Sequence, residues 1–133
     1  MRGSSLQKVL EKAYCEILIG ELKMTGNEYQ KLANRTCATT QSKTDMLHHA
    51  VFGLTSEAGE VAGLLQKKYQ GHEFDIEHFK KELGDCTWMI AEACTAVGIT
   101  LDDVFNTNIK KLKKRYPNGF TTENSLHRAE NDI

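Results

Sequence analysis

Residues 44–69 read TDMLHHAVFGLTSEAGEVAGLLQKKY, and residues 76–97 read IEHFKKELGDCTWMIAEACTAV. In the first stretch Val51, Phe52, Leu54, Val61, Leu64 and Leu65 recur at the three- and four-residue spacing of a helix. In the second, Phe79, Leu83, Trp88, Met89 and Ile90 do so less regularly. No proline interrupts either one; the single proline of the chain is Pro117. Gln70-Gly71-His72 supplies a stop signal after Tyr69, and Asp75 supplies a cap for the second stretch. Two long helices joined by a short turn must run antiparallel and touch.

The rest of the chain carries similar start and stop signals. Thr25 caps a helix over about 26–36, and a polar stretch continues to Lys43. Gly98 ends the second long helix; Thr100 caps a last one, with Asp102 and Asp103 suiting its positive end, and this helix stops before Pro117. Residues 5–22 carry a further amphipathic pattern. The expected fold is all-α, a helical bundle of about four core helices with an added N-terminal helix.

Bulk composition narrows the function classes. The 133 residues suit one domain with one core. A formal charge of -1 provides no global field to attract nucleic acid or a membrane surface, so neither is an expected partner. No apolar run approaches the ~18 residues of a membrane span. Cys15, Cys37, Cys86 and Cys94 form no CxxC pair and have no histidine at zinc-ligand spacing; apolar helical surroundings favour reduced thiols. A cytoplasmic protein is expected.

The chemistry is concentrated in the long pair. Ser56-Glu57-Ala58-Gly59-Glu60 lies within the first helix and Glu82-Leu83-Gly84-Asp85 within the second. Each motif sets two carboxylates three residues apart, on one side of its helix. Across an antiparallel pair the two motifs fall at similar heights, within about a turn. Four carboxylates so close would be costly without a counter-charge. A hard divalent cation answers that need, and oxygen-only ligands favour Mg²⁺ or Mn²⁺ over zinc. Gly59 and Gly84 each precede the second acid of a motif. Glycine costs about 1 kcal/mol in a helix interior, so a close approach to the backbone by the partner helix or a ligand is expected there. A di-iron centre would want ExxH pairs, and the chain has none. Nor does it have a glycine-rich phosphate loop.

Three ordered motifs carry a resemblance. Leu54-x-Ser56-Glu57-Ala58-Gly59-Glu60-Val61 is followed by Glu82-Leu83-Gly84-Asp85-x-x-Trp88. Then comes Asn108-x-x-Lys111-Leu112-x-x-Arg115-Tyr116-Pro117-x-Gly119-Phe120. Together they resemble the MazG-like all-α NTP pyrophosphohydrolases, over about residues 24–120. The resemblance implies Glu57, Glu60, Glu82 and Asp85 as Mg²⁺ ligands, and Asn108, Lys111 and Arg115 as contacts to a triphosphate. It implies cleavage between the α and β phosphates of an NTP or dNTP, releasing monophosphate and pyrophosphate in nucleotide-pool house-cleaning. It also implies a homo-oligomer, either a dimer or a tetramer built from dimers, with sites completed by a neighbouring subunit. On this reading residues 1–23 are a helical extension and 121–133 a polar tail.

The residues themselves are compatible with that chemistry. Phosphoryl transfer needs positioning and charge neutralisation rather than a covalent nucleophile. A carboxylate must accept the proton of the attacking water, and Glu57 and then Glu82 are the candidates. Asn108, Lys111 and Arg115 share one helical face, whereas Lys110 and Lys114 point elsewhere. His49, His48 and Phe52 precede the first acid by one to three turns, and His49 is a candidate base contact. Trp88 fits a core or interface position, and Glu92 fits either an extended acidic site or an interface salt bridge. Two departures stand out: many relatives carry Glu where this chain has Ser56, and Tyr where it has Met89. The first motivates an alternative reading, a non-catalytic regulatory bundle that binds Mg²⁺ and nucleotide.

Overall fold

A computed structural model describes residues 24–127; the expected helix over 5–22 lies outside them. The described residues form five α-helices: α1 (Gly26–Ala33), α2 (Lys43–Tyr69), α3 (Ile76–Val97), α4 (Leu101–Arg115) and α5 (Thr122–Leu126). A 3-10 turn, Asn34–Thr36, continues α1. Among the described residues there is no strand, only an isolated bridge between Pro117 and Gly119. No described helix is long and apolar enough to cross a membrane.

Each helix starts at a side chain that takes an otherwise unpaired backbone N–H. At α1, Thr25 Oγ1 accepts from Glu28 N at 3.1 Å while the Glu28 carboxylate accepts from Thr25 N at 2.7 Å, a reciprocal capping box. Asp75 accepts from His78 N at 3.0 Å and Thr100 from Asp103 N at 3.1 Å. Ser42 caps α2 by accepting from Asp45 N at 3.0 Å, so this helix begins slightly earlier than the apolar pattern indicates. α2 and α3 stop at glycines with left-handed backbone, Gly71 at φ 97 and Gly98 at φ 75. After Gly71, His72 N donates to Lys67 O and Gly71 N to Lys68 O, which satisfies the orphan carbonyls of α2. The segment expected to be a polar tail opens with α5, started by Thr121 Oγ1 accepting from Asn124 N. So short a helix has too few residues to show a periodic pattern.

Most of the packing is between α2 and α3, with α1 laid across α3 and α4. The tightest point of the hairpin is Gly53, where an added Cβ would collide with the thioether of Met89. Ala91, Cys94 and Leu101 form the buried centre, with Tyr29, Ala33, Ile90 and Val104 packed against it. Polar side chains of α1 complete the joint with α4. Gln30 Oε1 accepts from Leu101 N at 2.8 Å, Asn27 Oδ1 from Asp102 N at 3.2 Å, and Asp102 Oδ1 from Gly26 N at 3.0 Å. Donors that a helix start leaves unpaired thereby fix the position of α1. Among the described residues the buried core is small, and Phe52, Tyr69, Phe105, Ile109 and Phe120 are exposed.

Candidate functional site

α2 and α3 bring Glu57, Glu82 and Asp85 together, with one carboxylate oxygen from each inside a mutual separation of 4.8 Å. Glu57 and Glu82 are half-buried and Asp85 is exposed. Glu60 is exposed and does not belong to this convergent group. Three acids held this closely repel one another, and two of them have lost part of their hydration. Their donor set is entirely oxygen, which suits a hard divalent cation of the Mg²⁺ type.

The surroundings register that negative charge. Burial raises the pKa of the Cys86 thiol, and Glu57, Asp85 and Glu82 add to the effect. Burial also raises the Tyr29 hydroxyl, with Asp85 adding to it. Tyr29 comes from α1 and donates to the Gly84 carbonyl at 3.5 Å. His78, one turn before Glu82 on α3, places Nε2 at 2.8 Å from Glu82 Oε1. The His78–Glu82 spacing could have been read from the sequence as a four-residue helical pair. Tyr29 could not, because it arrives from a distant part of the chain.

The crowding expected at Gly59 and Gly84 is not supplied by the partner helix. A Cβ at either would meet nothing within 4 Å, whereas within this hairpin Gly53 is the glycine the packing requires. Two turns above the acids the hairpin carries a second polar pair. Glu92 is 1% exposed and bonds His49 Nδ1 at 2.7 Å, while His49 is 47% exposed. Glu92 is therefore an internal partner of His49 and not an extension of the acidic cluster. Trp88 is half-buried, with its indole N–H donating to Ala33 O at 3.1 Å and Thr36 Oγ1 at 2.8 Å. Its ring meets His49 edge-on, with centroids 6.0 Å apart.

Asn108 and Lys111 are exposed on α4 and line a concavity of about 500 Å³ together with Ile99, Asp103, Val104 and Thr107. None of the three convergent carboxylates lines it. Arg115 is half-buried at the C-terminal end of α4. α4 packs on α1 and α3 and makes no substantial contact with α2.

A family model described as the MazG nucleotide pyrophosphohydrolase domain matches residues 46–120. No curated protein and no solved structure matches the chain. The match covers more than half of the sequence and takes in the α2–α3 hairpin, both acidic motifs and the whole of α4. On that extent, the chain belongs to the MazG nucleotide pyrophosphohydrolase domain family.

Proposed function

We propose that the chain is a Mg²⁺-dependent nucleoside triphosphate pyrophosphohydrolase, with Mn²⁺ as a substitute ion, that converts an NTP or dNTP to monophosphate and pyrophosphate. The observation that carries this reading is the convergence of Glu57, Glu82 and Asp85 from two helices. Membership of a pyrophosphohydrolase family supports it.

Glu57, Glu82 and Asp85 would hold the ion, and Glu60 would join them as a further acidic ligand or through water. A bound divalent ion neutralises phosphate charge and makes a neighbouring water more acidic. Glu57 accepts the proton of the attacking water. It suits that role better than Glu82, whose carboxylate is already engaged by His78. Asn108, Lys111 and Arg115 hold the polyphosphate, with Asn108 donating a hydrogen bond and the two cations offsetting charge.

Because α4 makes no substantial contact with α2, the helix that carries Glu57, we read the complete site as built between copies. One copy supplies the acids and another supplies α4. Exposed Phe105, Ile109 and Leu112 give α4 the apolar contact surface such an assembly needs. A dimer, or a tetramer made of dimers, satisfies this arrangement.

The direct test is product analysis on a panel of NTPs and dNTPs, with Mg²⁺ and with EDTA. Monophosphate plus pyrophosphate, abolished by EDTA, is the expected outcome. Diphosphate plus phosphate would move the cut and overturn the reading. Binding without any product would leave a regulatory nucleotide-binding bundle instead.

A further inference from the structure

We infer that His49, oriented by the buried Glu92 and braced by Trp88, is the nucleobase-reading element of this hairpin. Its location relative to substrate rests on the proposed triphosphate chemistry; its construction does not. A carboxylate 1% exposed is costly to bury unless it is bonded. Glu92 is bonded to His49 at 2.7 Å and also faces the Cys37 thiol. With the carboxylate as acceptor, Nδ1 of His49 is the donor and Nε2 is the nitrogen left for an incoming group. The His49 side chain remains 47% exposed.

Trp88 limits the movement of the imidazole. Its indole N–H is anchored to Ala33 O and Thr36 Oγ1, and its ring stands edge-on to His49. On the neighbouring face, Phe52 is 71% exposed and stacks with His48 at 5.8 Å, offering an aromatic surface beside the pair. Such a combination suits a flat heteroaromatic ring bearing an N–H or amino donor.

Register places the pair where a base would fall. His49, Gly53 and Glu57 share one stripe of α2, and Asp85 and Glu92 share one stripe of α3. The pair thus lies about 10–12 Å along the hairpin from the acids, comparable to the length of a nucleoside. Met89, buried against Gly53, fills the seam between them.

Trp88 is the only tryptophan of the chain, so its fluorescence reports on this place alone. The test is titration of the full chain with nucleoside 5′-monophosphates and with ribose 5-phosphate, in Mg²⁺. The monophosphates should change Trp88 emission saturably, and ribose 5-phosphate should not. Loss of one neutral hydrogen bond should weaken monophosphate binding by about 3- to 10-fold in His49→Ala. His49→Asn keeps a donor for Glu92 but removes the outward nitrogen, and should behave alike. Glu92→Gln retains an acceptor for Nδ1 and should bind better than Glu92→Ala. The kcat/KM ratio of the preferred NTP to ribose 5-triphosphate should fall by a similar factor in His49→Ala. Wild-type affinity in both His49 variants, an equal response to ribose 5-phosphate, or an unchanged ratio would each overturn the inference. A base-dependent Trp88 response without hydrolysis would instead sink the pyrophosphohydrolase reading and keep this site.

Discussion

His78 Nε2 lies 2.8 Å from Oε1 of Glu82, a side chain only 15% exposed at the convergence of the acids. A hydrogen bond to a ligating carboxylate fixes its rotamer before the ion arrives. Removing it in His78→Ala should raise the Mg²⁺ concentration needed for half-maximal activity by about 10-fold, since such outer contacts carry 10- to 100-fold in affinity or activity. A Mg²⁺ titration at saturating nucleotide measures this directly. An unchanged midpoint would mean that Glu82 is positioned by packing alone.

The acids are not equivalent, and that gives a sharper prediction. Glu57 converges with Glu82 and Asp85, whereas Glu60 is exposed outside that group. Glu57→Gln should therefore abolish turnover, and Glu60→Gln should reduce it less. In thermal melts, Mg²⁺ should stabilise the wild type as any ligand of the native state does, and Glu57→Gln should lose most of that shift. Equal losses from both substitutions would require Glu60 to move inward on binding.

Two glycines of α2 should respond oppositely to the same substitution. Gly53→Ala drives a methyl group into Met89 and should destabilise the chain by about 1–3 kcal/mol. Gly59→Ala meets nothing within 4 Å and should stabilise the helix by about 0.5–1 kcal/mol. Denaturant melts distinguish the two. If Gly59→Ala lost activity while gaining stability, the close approach at that position would come from a ligand or a second copy.

Two helix caps should contribute to acid sensitivity. A hydrogen bond from the Thr25 backbone, and then its hydroxyl, holds the Glu28 carboxyl below its ordinary value of 4.5. The His78 backbone N–H chiefly holds Asp75 below 3.8. Groups with a lowered folded pKa contribute stability that is complete above the unfolded value and is lost as pH falls through the folded one. Stability should thus decline below about pH 4.5, and less steeply in Glu28→Gln and Asp75→Asn. Melts collected from pH 6 to pH 3 give the slopes, and parallel curves for all three proteins would show that the caps carry none of the acid sensitivity.

The limits of the helices were legible because they are local. Asp75, Gly98, Thr100 and Pro117 act through their own backbone neighbours, and the structure obeys them. The convergence of Glu57 with Glu82 and Asp85 was legible too, since helical spacing and a short turn fix the register of a hairpin. Glu60 shows the limit of that reasoning: spacing sets which stripe a residue occupies, while the exposure of its side chain depends on how the helices cross. The burial of Glu92 was hidden for the same reason, because its neighbours His49 and Cys37 come from two other segments. The basic face of α4 could be read as a face, but nothing local specifies what lies opposite it.

That opposite surface is open to a direct test. If one copy contributes the carboxylates and another contributes α4, two differently damaged chains should repair each other. Glu57→Gln removes an acid, and Lys111→Ala removes a cation from the α4 concavity. Each should be nearly inactive alone. In a symmetric dimer, a mixed pair contains one site carrying both lesions and one carrying neither. Unfolding and refolding the two together at equal concentration should make about half of the dimers mixed, restoring about a quarter of wild-type activity. Mixing without exchange of subunits should restore nothing. If refolded mixtures stayed inactive although exchange had occurred, the acids and α4 would have to meet within one chain, and α4 would have to move toward α2 when substrate binds.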